Sequence, residues 1–534
     1  MFRALTRPPA IPEIAKGQGL SCNRRRRTDR PGPRSSSRNS RTLLLLLFCC
    51  GLCLALHAQA VLGSEVRALN GMDSSVSSGS TVDLLDASNM TSESRAATGS
   101  GSIGSFSYTG SPLVNTVKAL HPSAAISSDY FGMTIHHSAT PFPAFPISTL
   151  RFWDVVNWRD IEPSRGQFVW TRTDSTIATA RKKGINDFVF AFGAVPLWAA
   201  TNPSEPCPGG GVPGYCSPPD ITALDELVTH VVQRYCGAIR YYETWNEPNG
   251  SGYWKGSNTQ LLTIAQHLYR IARDPANCGC ANGVCTPNGG ANPNKVLLPT
   301  ISRITQPNLN WLDSYLGAAG SRYPYADIAA FHGYTYTANP EEIVTQVQLL
   351  NQVLAKHGLG NLPLWNTEAS WNARVQTNQQ RASWLMRYYM AQAVAGVSRF
   401  IWYAFDDCGT GTLWEAPWCK DPQTPVGQLT DAGRAYGVIE NWLAGANVTG
   451  CQQYQNGLWA CELQRAGNYD AWMLWSTTDT DISVPIPTNS GLTVYRDWQN
   501  KMSSLPAGIT VNQMPVLLES GDPSNRQQQT KPRK

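Results

Sequence analysis

Two glutamates, Glu247 and Glu368, stand in short segments rich in tryptophan and asparagine. The first lies in Trp-Asn-Glu-Pro-Asn at 245–249 and the second in Trp-Asn-Thr-Glu-Ala-Ser at 365–370. Each segment ends a short run that predicts a buried strand, so both glutamates are expected at the carboxyl ends of strands. Two carboxylates at one edge of a barrel, beside aromatic rings, are what hydrolysis of a sugar acetal requires.

The pattern that must position these glutamates alternates strand and helix. Runs that predict strands are 130–136, 149–153, 187–192, 239–244, 295–299, 327–332, 362–366 and 399–405. Helical patterns between them include 225–235, 259–273, 340–356, 378–395 and 435–444. Eight strands separated by helices predict an α/β fold, a (β/α)8 TIM barrel. Short alternating strands after the last helix predict a small C-terminal β-sandwich.

The first sixty residues have the pattern of a secretory signal peptide. A long basic n-region with four arginines at 24–27 precedes an apolar run at 43–56 and Ala-Gln-Ala at 58–60. An uncleaved membrane anchor is the alternative, although the apolar run is short for a span. The predicted organisation is signal peptide 1–60, Ser/Gly-rich linker 61–107, catalytic barrel 108–444, β-sandwich 445–520 and disordered tail 521–534.

Cysteine spacing agrees with export. Of 14 cysteines, four lie in the leader, which leaves an even number for the mature chain. Close neighbours predict the disulfides Cys207–Cys216, Cys408–Cys419 and Cys451–Cys461. Cys236, Cys278, Cys280 and Cys285 should form two more, with their pairing left open. A zinc site in this group is the weaker alternative, because no pair has two-residue spacing and no histidine follows at ligand distance. We therefore expect a secreted protein, extracellular or periplasmic.

Charge and composition exclude several classes of function. The net charge is +5, but residues 1–42 hold eleven Lys or Arg and only two acids, so the rest is net negative. We therefore expect no nucleic-acid partner. No phosphate loop or dinucleotide fingerprint is present, so no cofactor and no metal is expected. With 18 Trp and 20 Tyr but only 15% charged residues, the composition suits a carbohydrate site, as it suits many large extracellular proteins.

From about 129 to 444 the chain resembles clan A retaining glycoside hydrolases, most of all families 39 and 5. Asn-Glu-Pro at the end of strand four and Glu368 at the end of strand seven are the pattern of that clan. Supporting motifs are Leu-Arg-Phe-Trp-Asp at 150–154, Phe-His-Gly-Tyr at 331–334 and Ile-Trp-Tyr at 401–403. Asn-Glu-Pro alone is common, whereas its combination with these motifs is specific.

The resemblance implies that Glu247 is the acid/base and Glu368 the nucleophile. The acid of such a pair must hold a proton before attack and serve as base afterwards, when the nucleophile has been neutralised by the bound sugar. Asn246 would bond the sugar 2-hydroxyl. Arg151 would hold Glu368 ionised, although it could instead be a structural partner of Asp154 or Glu162.

The remaining site residues implied by the resemblance each have a structural alternative. His332 and Tyr334 would flank the nucleophile, although His332 could be a barrel-rim histidine with no contact to substrate. Trp402 would form the floor of the sugar subsite or pack in the core. His136 and His137 end strand one, and one of them should reach the site, but strand alternation does not decide which.

These observations predict a secreted retaining glycoside hydrolase that cleaves O-glycosidic, β-linked bonds of an oligo- or polysaccharide. Alternatives are a transglycosylase, which shares both carboxylates, and a non-catalytic carbohydrate-binding protein on the same barrel. The expected partner is the carbohydrate substrate, and membrane contact is expected only transiently, through the signal peptide. The particular sugar, the choice between exo and endo action and the oligomeric state stay open. Glu243, four residues before Glu247, is expected to point away from the site.

Overall fold

The computed structural model describes residues 107–521, apart from 122, 209–211, 321–324 and 421–423. The predicted signal peptide, nearly all of the predicted linker and nearly all of the predicted tail lie outside the described residues.

In chain order, the strands of the described residues are β1 (Leu113–Lys118), β2 (Phe131–Met133), β3 (Thr149–Phe152), β4 (Asp187–Ala191), β5 (Tyr241–Glu243), β6 (Gly279–Ala281), β7 (Val284–Thr286), β8 (Lys295–Leu297), β9 (Ala329–His332), β10 (Leu364–Ala369), β11 (Val397–Trp402), β12 (Asn447–Tyr454), β13 (Leu458–Arg465), β14 (Tyr469–Ser476), β15 (Ile482–Pro485), β16 (Leu492–Arg496), β17 (Met502–Ser504), β18 (Gly508–Val511) and β19 (Val516–Ser520). The helices are α1 (Trp158–Ile161), α2 (Thr171–Lys182), α3 (Ile221–Arg234), α4 (Asn258–Ala272), α5 (Gln306–Ala319), α6 (Glu342–Lys356), α7 (Asn378–Val394) and α8 (Asp431–Leu443).

Eight parallel strands form the barrel. Their order is β8-β5-β4-β3-β2-β11-β10-β9. The two outer strands meet through a parallel bridge between Leu297 and Ile328, and Leu298 N donates to Ile328 O at 3.0 Å. The sheet therefore closes on itself, and the predicted (β/α)8 barrel with a C-terminal β-sandwich is confirmed. Each predicted strand overlaps a barrel strand of the structure.

Side chains along the barrel strands alternate between the barrel interior and the surrounding helices. The interior contains an apolar layer made of Val189, Leu297, Ile328, Ala330, Trp365 and Ile401. Their neighbours in sequence, such as Phe188, Phe190 and Phe400, point outward into the main core under the helices. Polar residues on the inward face, nearer the carboxyl ends of the strands, lie above this layer and can meet one another.

Capping side chains fix where several barrel helices begin. Ser257 and Gln260 form a capping box at α4, and Thr377 and Gln380 form another at α7. Helix α7 is buried on nearly all sides. It packs against α8, β11 and β12, which explains why residues on every side of the helix are buried.

A second domain follows the barrel and includes one strand from before it. Its seven-stranded sheet has the order β1-β12-β13-β14-β19-β16-β17, and β15 pairs with β18. Strand β1 runs antiparallel to β12, with Val117 opposite Cys451. The predicted barrel range 108–444 includes this strand, whereas the strand pairs in the second sheet. Its mostly exposed edge-strand sequence gives no sign of the distant partner.

Five disulfides connect the cysteines of the described residues. The three predicted pairs, Cys207–Cys216, Cys408–Cys419 and Cys451–Cys461, are confirmed. The open group pairs as Cys236–Cys278 and Cys280–Cys285. In the part of the chain that the structure describes, no helix combines the length and apolar character needed to cross a bilayer.

Candidate active site

The two glutamates face each other at the carboxyl end of the barrel. Glu247 follows β5 by four residues, and Glu368 lies within β10. A carboxylate oxygen of one lies within 4.8 Å of a carboxylate oxygen of the other. Their side chains are only 13% and 10% exposed, respectively. The sequence thus identified a real pair, separated by more than a hundred residues in the chain and adjacent in the fold.

Arg151, on β3, connects Glu368, the candidate nucleophile, to the carboxylate of Glu243. Its Nη1 donates to Glu368 Oε2 at 3.0 Å. Its Nε and Nη2 donate to the two oxygens of Glu243 at 3.1 and 2.7 Å. Nη2 also donates to Asn246 Oδ1 at 2.7 Å. The guanidinium is completely buried, and it holds these three side chains in one network.

Glu243 does not point away from the site as expected. It has the same inward orientation on β5 as Tyr241, two residues earlier, and it is fully buried beside Arg151. Glu162, which the sequence suggested as an alternative partner of Arg151, makes other hydrogen bonds. It accepts from Trp158 Nε1 at 3.1 Å and from Gly166 N at 2.8 Å. Glu243 therefore positions Arg151, a role that sequence reasoning missed.

A left-handed backbone conformation turns Glu247 into the site. Its φ is 46°, which is unfavourable for a residue with a side chain. Its backbone N–H donates to Thr300 Oγ1 at 3.3 Å, and the Thr300 hydroxyl donates to Glu243 Oε1 at 3.2 Å. One threonine after β8 thus stabilises both glutamates of this segment. Such local strain commonly occurs where function dictates the direction of a side chain.

His332 bridges the two catalytic candidates. Its Nδ1 lies 2.7 Å from Glu247 Oε1, and its Nε2 lies 3.7 Å from Glu368 Oε2. The ring is fully buried. Burial by itself would lower the pKa of His332, but the charges of Glu368 and Glu247 outweigh it and raise the pKa above its usual value. The two carboxylates therefore favour the protonated form of His332.

Tyr334 donates its hydroxyl to Glu368 Oε1 at 2.9 Å. Burial, followed by the charge of Glu368, raises the pKa of Tyr334 well above its usual value, so the hydroxyl stays a donor. Gly333 allows both neighbours to reach the site, because a Cβ there would lie 2.4 Å from Asn366 Nδ2. Each oxygen of Glu368 thus accepts a hydrogen bond, one from Tyr334 and one from Arg151.

Burial raises the pKa of Glu368 above its usual value. The positive charges of His332 and Arg151 oppose this rise, whereas Glu247 adds to it. Ionised Glu368 therefore depends on its hydrogen-bond donors and positive neighbours, and removal of one of them should make it easier to protonate.

Trp402 lies in the core and not at the floor of the site. It is fully buried, its Nε1 donates to Gly411 O at 2.7 Å, and its ring centroid lies 5.3 Å from that of Trp371. Because Ile401 points into the barrel, Trp402 points outward, toward the helices. Of the two interpretations of this residue, core packing is the one that the structure supports.

Tyr403, one position after Trp402, points inward, toward the site. Its hydroxyl bonds Asp154, and burial and the charge of Glu368 raise its pKa well above the usual value. The ring centroid of Tyr403 lies 4.8 Å from that of His136. Sequence reasoning missed this residue, although the alternation of side chains from Ile401 onward was a signal that could have found it.

Of the two histidines after β2, His136 faces the site. Its Nε2 lies 3.4 Å from Asp154 Oδ2, next to Tyr403. His137 turns to the other side, where its Nδ1 lies 3.1 Å from Asp406 Oδ2 and its half-exposed ring lies 4.3 Å from that of Trp418. His136, Asp154 and Tyr403 therefore form a polar wall beside the nucleophile candidate.

Three side chains of the site could also coordinate a cation. Ligand atoms of Glu247, His332 and Glu368 lie within 4.8 Å of one another. Among the described residues, this is the cluster of His, Cys, Asp or Glu side chains close enough together to hold a metal ion. The guanidinium of Arg151, 3.0 Å from Glu368 Oε2, repels any cation bound there. The donor set suits proton exchange between carboxylates better than metal binding.

No protein-family model and no curated protein matches the chain in sequence. Among solved structures, a family 39 glycoside hydrolase from Bacteroides cellulosilyticus WH2 superposes with a TM-score of 0.53 at 16% identity, over 70% of this chain and 76% of that one. A glucosidase from Croceicoccus marinus gives a TM-score of 0.49 at 14% identity, over 77% of this chain and 97% of that one. The first likeness shows a shared fold, the fold that the sequence resemblance implied.

Proposed function

We propose that the protein is a secreted retaining glycoside hydrolase that cleaves O-glycosidic, β-linked bonds of an oligo- or polysaccharide. The observation that carries the proposal is the approach of the Glu247 and Glu368 oxygens to within 4.8 Å. Retaining enzymes hold their two carboxyl groups about 5–5.5 Å apart, whereas inverting enzymes leave about 6.5–9.5 Å for a water molecule. The separation favours attack by a protein carboxylate.

The surroundings of each carboxylate support different roles for them. Glu368, held by Arg151 and Tyr334, attacks the anomeric carbon as the leaving oxygen takes a proton from Glu247. The glycosyl-enzyme ester removes the negative charge of Glu368. Glu247 then accepts a proton from water, which attacks the same carbon and releases Glu368 as a carboxylate. Asn246, held by Arg151 through its oxygen, has its amide N–H groups left to donate to the sugar 2-hydroxyl.

The substrate and the roles are tested with a panel of aryl glycosides and polysaccharides. Glu368→Ala should abolish turnover of every substrate, because it removes the attacking atom. Glu247→Ala should spare glycosylation by an activated aryl glycoside, which needs little protonation of its leaving group. Glu226→Ala, a substitution of an exposed glutamate on α3, is the matched control and should leave all rates unchanged.

Azide distinguishes the two roles by stereochemistry. With Glu247→Ala, azide should attack the glycosyl-enzyme and give a product of retained configuration. With Glu368→Ala, azide replaces the nucleophile in one displacement and should give the inverted product. Proton NMR of the two products, and of the wild-type product, decides the assignment. The same anomer from both variants, or an inverted sugar from the wild type, contradicts it.

Two further measurements separate this function from its alternatives. A transglycosylase yields lengthened oligosaccharides in place of reducing sugar, and a non-catalytic binding protein yields neither. Secretion is tested by N-terminal sequencing of exported protein, which should begin near Val61. A retained segment 43–56 would indicate a membrane anchor instead.

A further inference from the structure

A polar cavity lies between the amino-terminal end of α7 and the β-sandwich, away from the catalytic pair. Its volume is about 500 Å³. A second cavity of about 280 Å³ adjoins it and shares Gln380, Thr478, Asp479 and Gln513 with it. We name the two together the side groove. Nothing in the catalytic mechanism uses its residues.

The lining of the larger cavity suits an uncharged, hydroxyl-rich ligand. Tyr495 and Trp498 contribute two half-buried aromatic side chains. Around them stand hydroxyl, amide and carboxylate groups, such as those of Thr478, Asn512 and Asp497. Among the described residues, no lysine or arginine lines this cavity. Aromatic rings and hydroxyl, amide and carboxylate groups bind the faces and edges of sugar rings, whereas anionic polymers require positive charge.

The walls of the side groove are held in place before any ligand binds. Gln513 Nε2 donates to Asp479 Oδ1 at 2.7 Å, and Ser383 Oγ on α7 donates to the Gln513 carbonyl at 2.5 Å. The buried Glu341 accepts from Trp475 Nε1 of the sandwich at 2.7 Å and from Arg387 of α7 at 2.7 and 2.8 Å. A preformed site loses little ordering entropy when a ligand binds.

The smaller cavity extends toward the loops that carry the catalytic groups. It is lined by Asn339, which lies in the loop after β9, and by Arg374, which lies in the loop after β10. The same two loops follow His332 and Glu368, and Asn372 joins them by donating to the carbonyls of Thr335 and Thr337 at 3.0 and 2.6 Å. Among the residues that the structure describes, the other cation of this lining is Arg387, and its charge is neutralised by its ion pair with Glu341.

We propose that the side groove is a second, non-catalytic binding site for a neutral polysaccharide chain, with Trp498 and Tyr495 as its sugar platforms. The proposal rests on the proposed function in one respect, since the polymer bound there would also be the one presented to the catalytic loops. Binding itself needs neither Glu247 nor Glu368.

Binding is measured by affinity electrophoresis of the full chain carrying Glu368→Ala, in gels that contain mixed-linkage β-glucan, neutral xylan or polygalacturonate. We expect retardation by at least one neutral polymer and none by polygalacturonate. Addition of Trp498→Ala should weaken that binding about tenfold, which corresponds to about 1.4 kcal/mol. Trp311→Ala, which changes a partly buried tryptophan on α5 outside the groove, is the matched control and should bind as before.

A second variant guards against a folding defect in the first. Thr510 is exposed and lines the larger cavity, so Thr510→Arg fills the cavity without removing a packed side chain. It should weaken retardation at least as much as Trp498→Ala does, with an unchanged melting temperature. Unchanged retardation in both Trp498→Ala and Thr510→Arg, retardation by polygalacturonate alone, or no retardation by either neutral polymer overturns the proposal.

The enzyme with intact Glu368 separates this proposal from the proposed function. Trp498→Ala should leave kcat/KM on an aryl glycoside unchanged and reduce the rate on the bound polymer about tenfold, because a small substrate does not reach the groove. An enzyme without hydrolytic activity whose Trp498-dependent retardation persists would contradict the proposed function and leave the side groove established. If the enzyme hydrolyses every polymer equally well with and without Trp498, and no polymer retards the protein, the proposed function stands and the side groove is contradicted as a binding site.

Discussion

Replacement of Tyr334 by phenylalanine tests how the nucleophile candidate is kept ionised. The Tyr334 hydroxyl donates to Glu368 Oε1 at 2.9 Å, and Arg151 bonds the other oxygen at 3.0 Å. A hydrogen bond to a charged group contributes about 1.5–3 kcal/mol. Since one pKa unit corresponds to about 1.36 kcal/mol, its loss should raise the pKa of Glu368 by about 1–2 units.

The sign of the effect on activity follows from the proposed role of Glu368 as the nucleophile. Burial already raises the pKa of this carboxyl, and attack requires the carboxylate. The acid limb of kcat/KM, which reports the free enzyme, should therefore move about 1–2 pH units upward in Tyr334→Phe. The measurement is kcat/KM against pH with an activated aryl glycoside.

Tyr403→Phe is the matched control for this substitution. Its hydroxyl bonds Asp154 and not Glu368, so the acid limb should stay close to that of the wild type. An acid limb that does not move in Tyr334→Phe would refute the reasoning, because either the hydroxyl does not stabilise the carboxylate or Glu368 is not the group that must be ionised.

Two other predictions concern stability and packing. Burial raises the pKa of Glu440 to about 7, so its ionisation opposes folding, and stability is lost as pH rises from the unfolded-state value toward that pKa. Glu440→Gln should stabilise the protein by up to about 3 kcal/mol at about pH 8 and have little effect below about pH 5, and urea unfolding at the two pH values checks this. Trp402→Ala should cost about 3–5 kcal/mol of unfolding free energy, as expected for a core aromatic. Tyr403→Ala should cost less stability and lower kcat/KM more, and the opposite ranking in unfolding and kinetic measurements would return Trp402 to the site.

The barrel could be predicted because its strands are local patterns with a strong signal. The apolar runs and several of the helical patterns between them are recognised from neighbouring residues alone, so neither requires knowledge of distant contacts. Strand β1 is different. Its residues Leu113–Lys118 are mostly exposed, and its assignment to the second sheet depends on pairing with β12, more than three hundred residues later. Such pairing leaves no periodic signature in either segment.

The candidate site could be predicted in its glutamates and less well in the residues around them. Glu247 and Glu368 lie in short sequence motifs from which each can be identified as a candidate catalytic residue. The choice between Trp402 and Tyr403, in contrast, depends on which face of β11 enters the barrel, and that is fixed by parallel pairing with β2 and β10. The orientation of Glu243 likewise depends on which face of β5 enters the barrel, because alternate residues of the strand, such as Tyr241 and Glu243, point inward. If the alternation of a strand is assigned one residue out of step, side chains of the core are predicted in the site and side chains of the site are predicted in the core.

The charges around the candidate catalytic pair support different proposed roles for its two members. Glu368 has Arg151 on one oxygen and the Tyr334 hydroxyl on the other, and both favour the carboxylate. Glu247 has His332 Nδ1 at 2.7 Å, a group that can hold the proton itself. The site therefore has the same net charge whether the proton lies on Glu247 or on His332. In the proposed mechanism, a proton shared in this way moves to the leaving oxygen and later returns from water, whereas Glu368 remains a carboxylate that can attack the anomeric carbon.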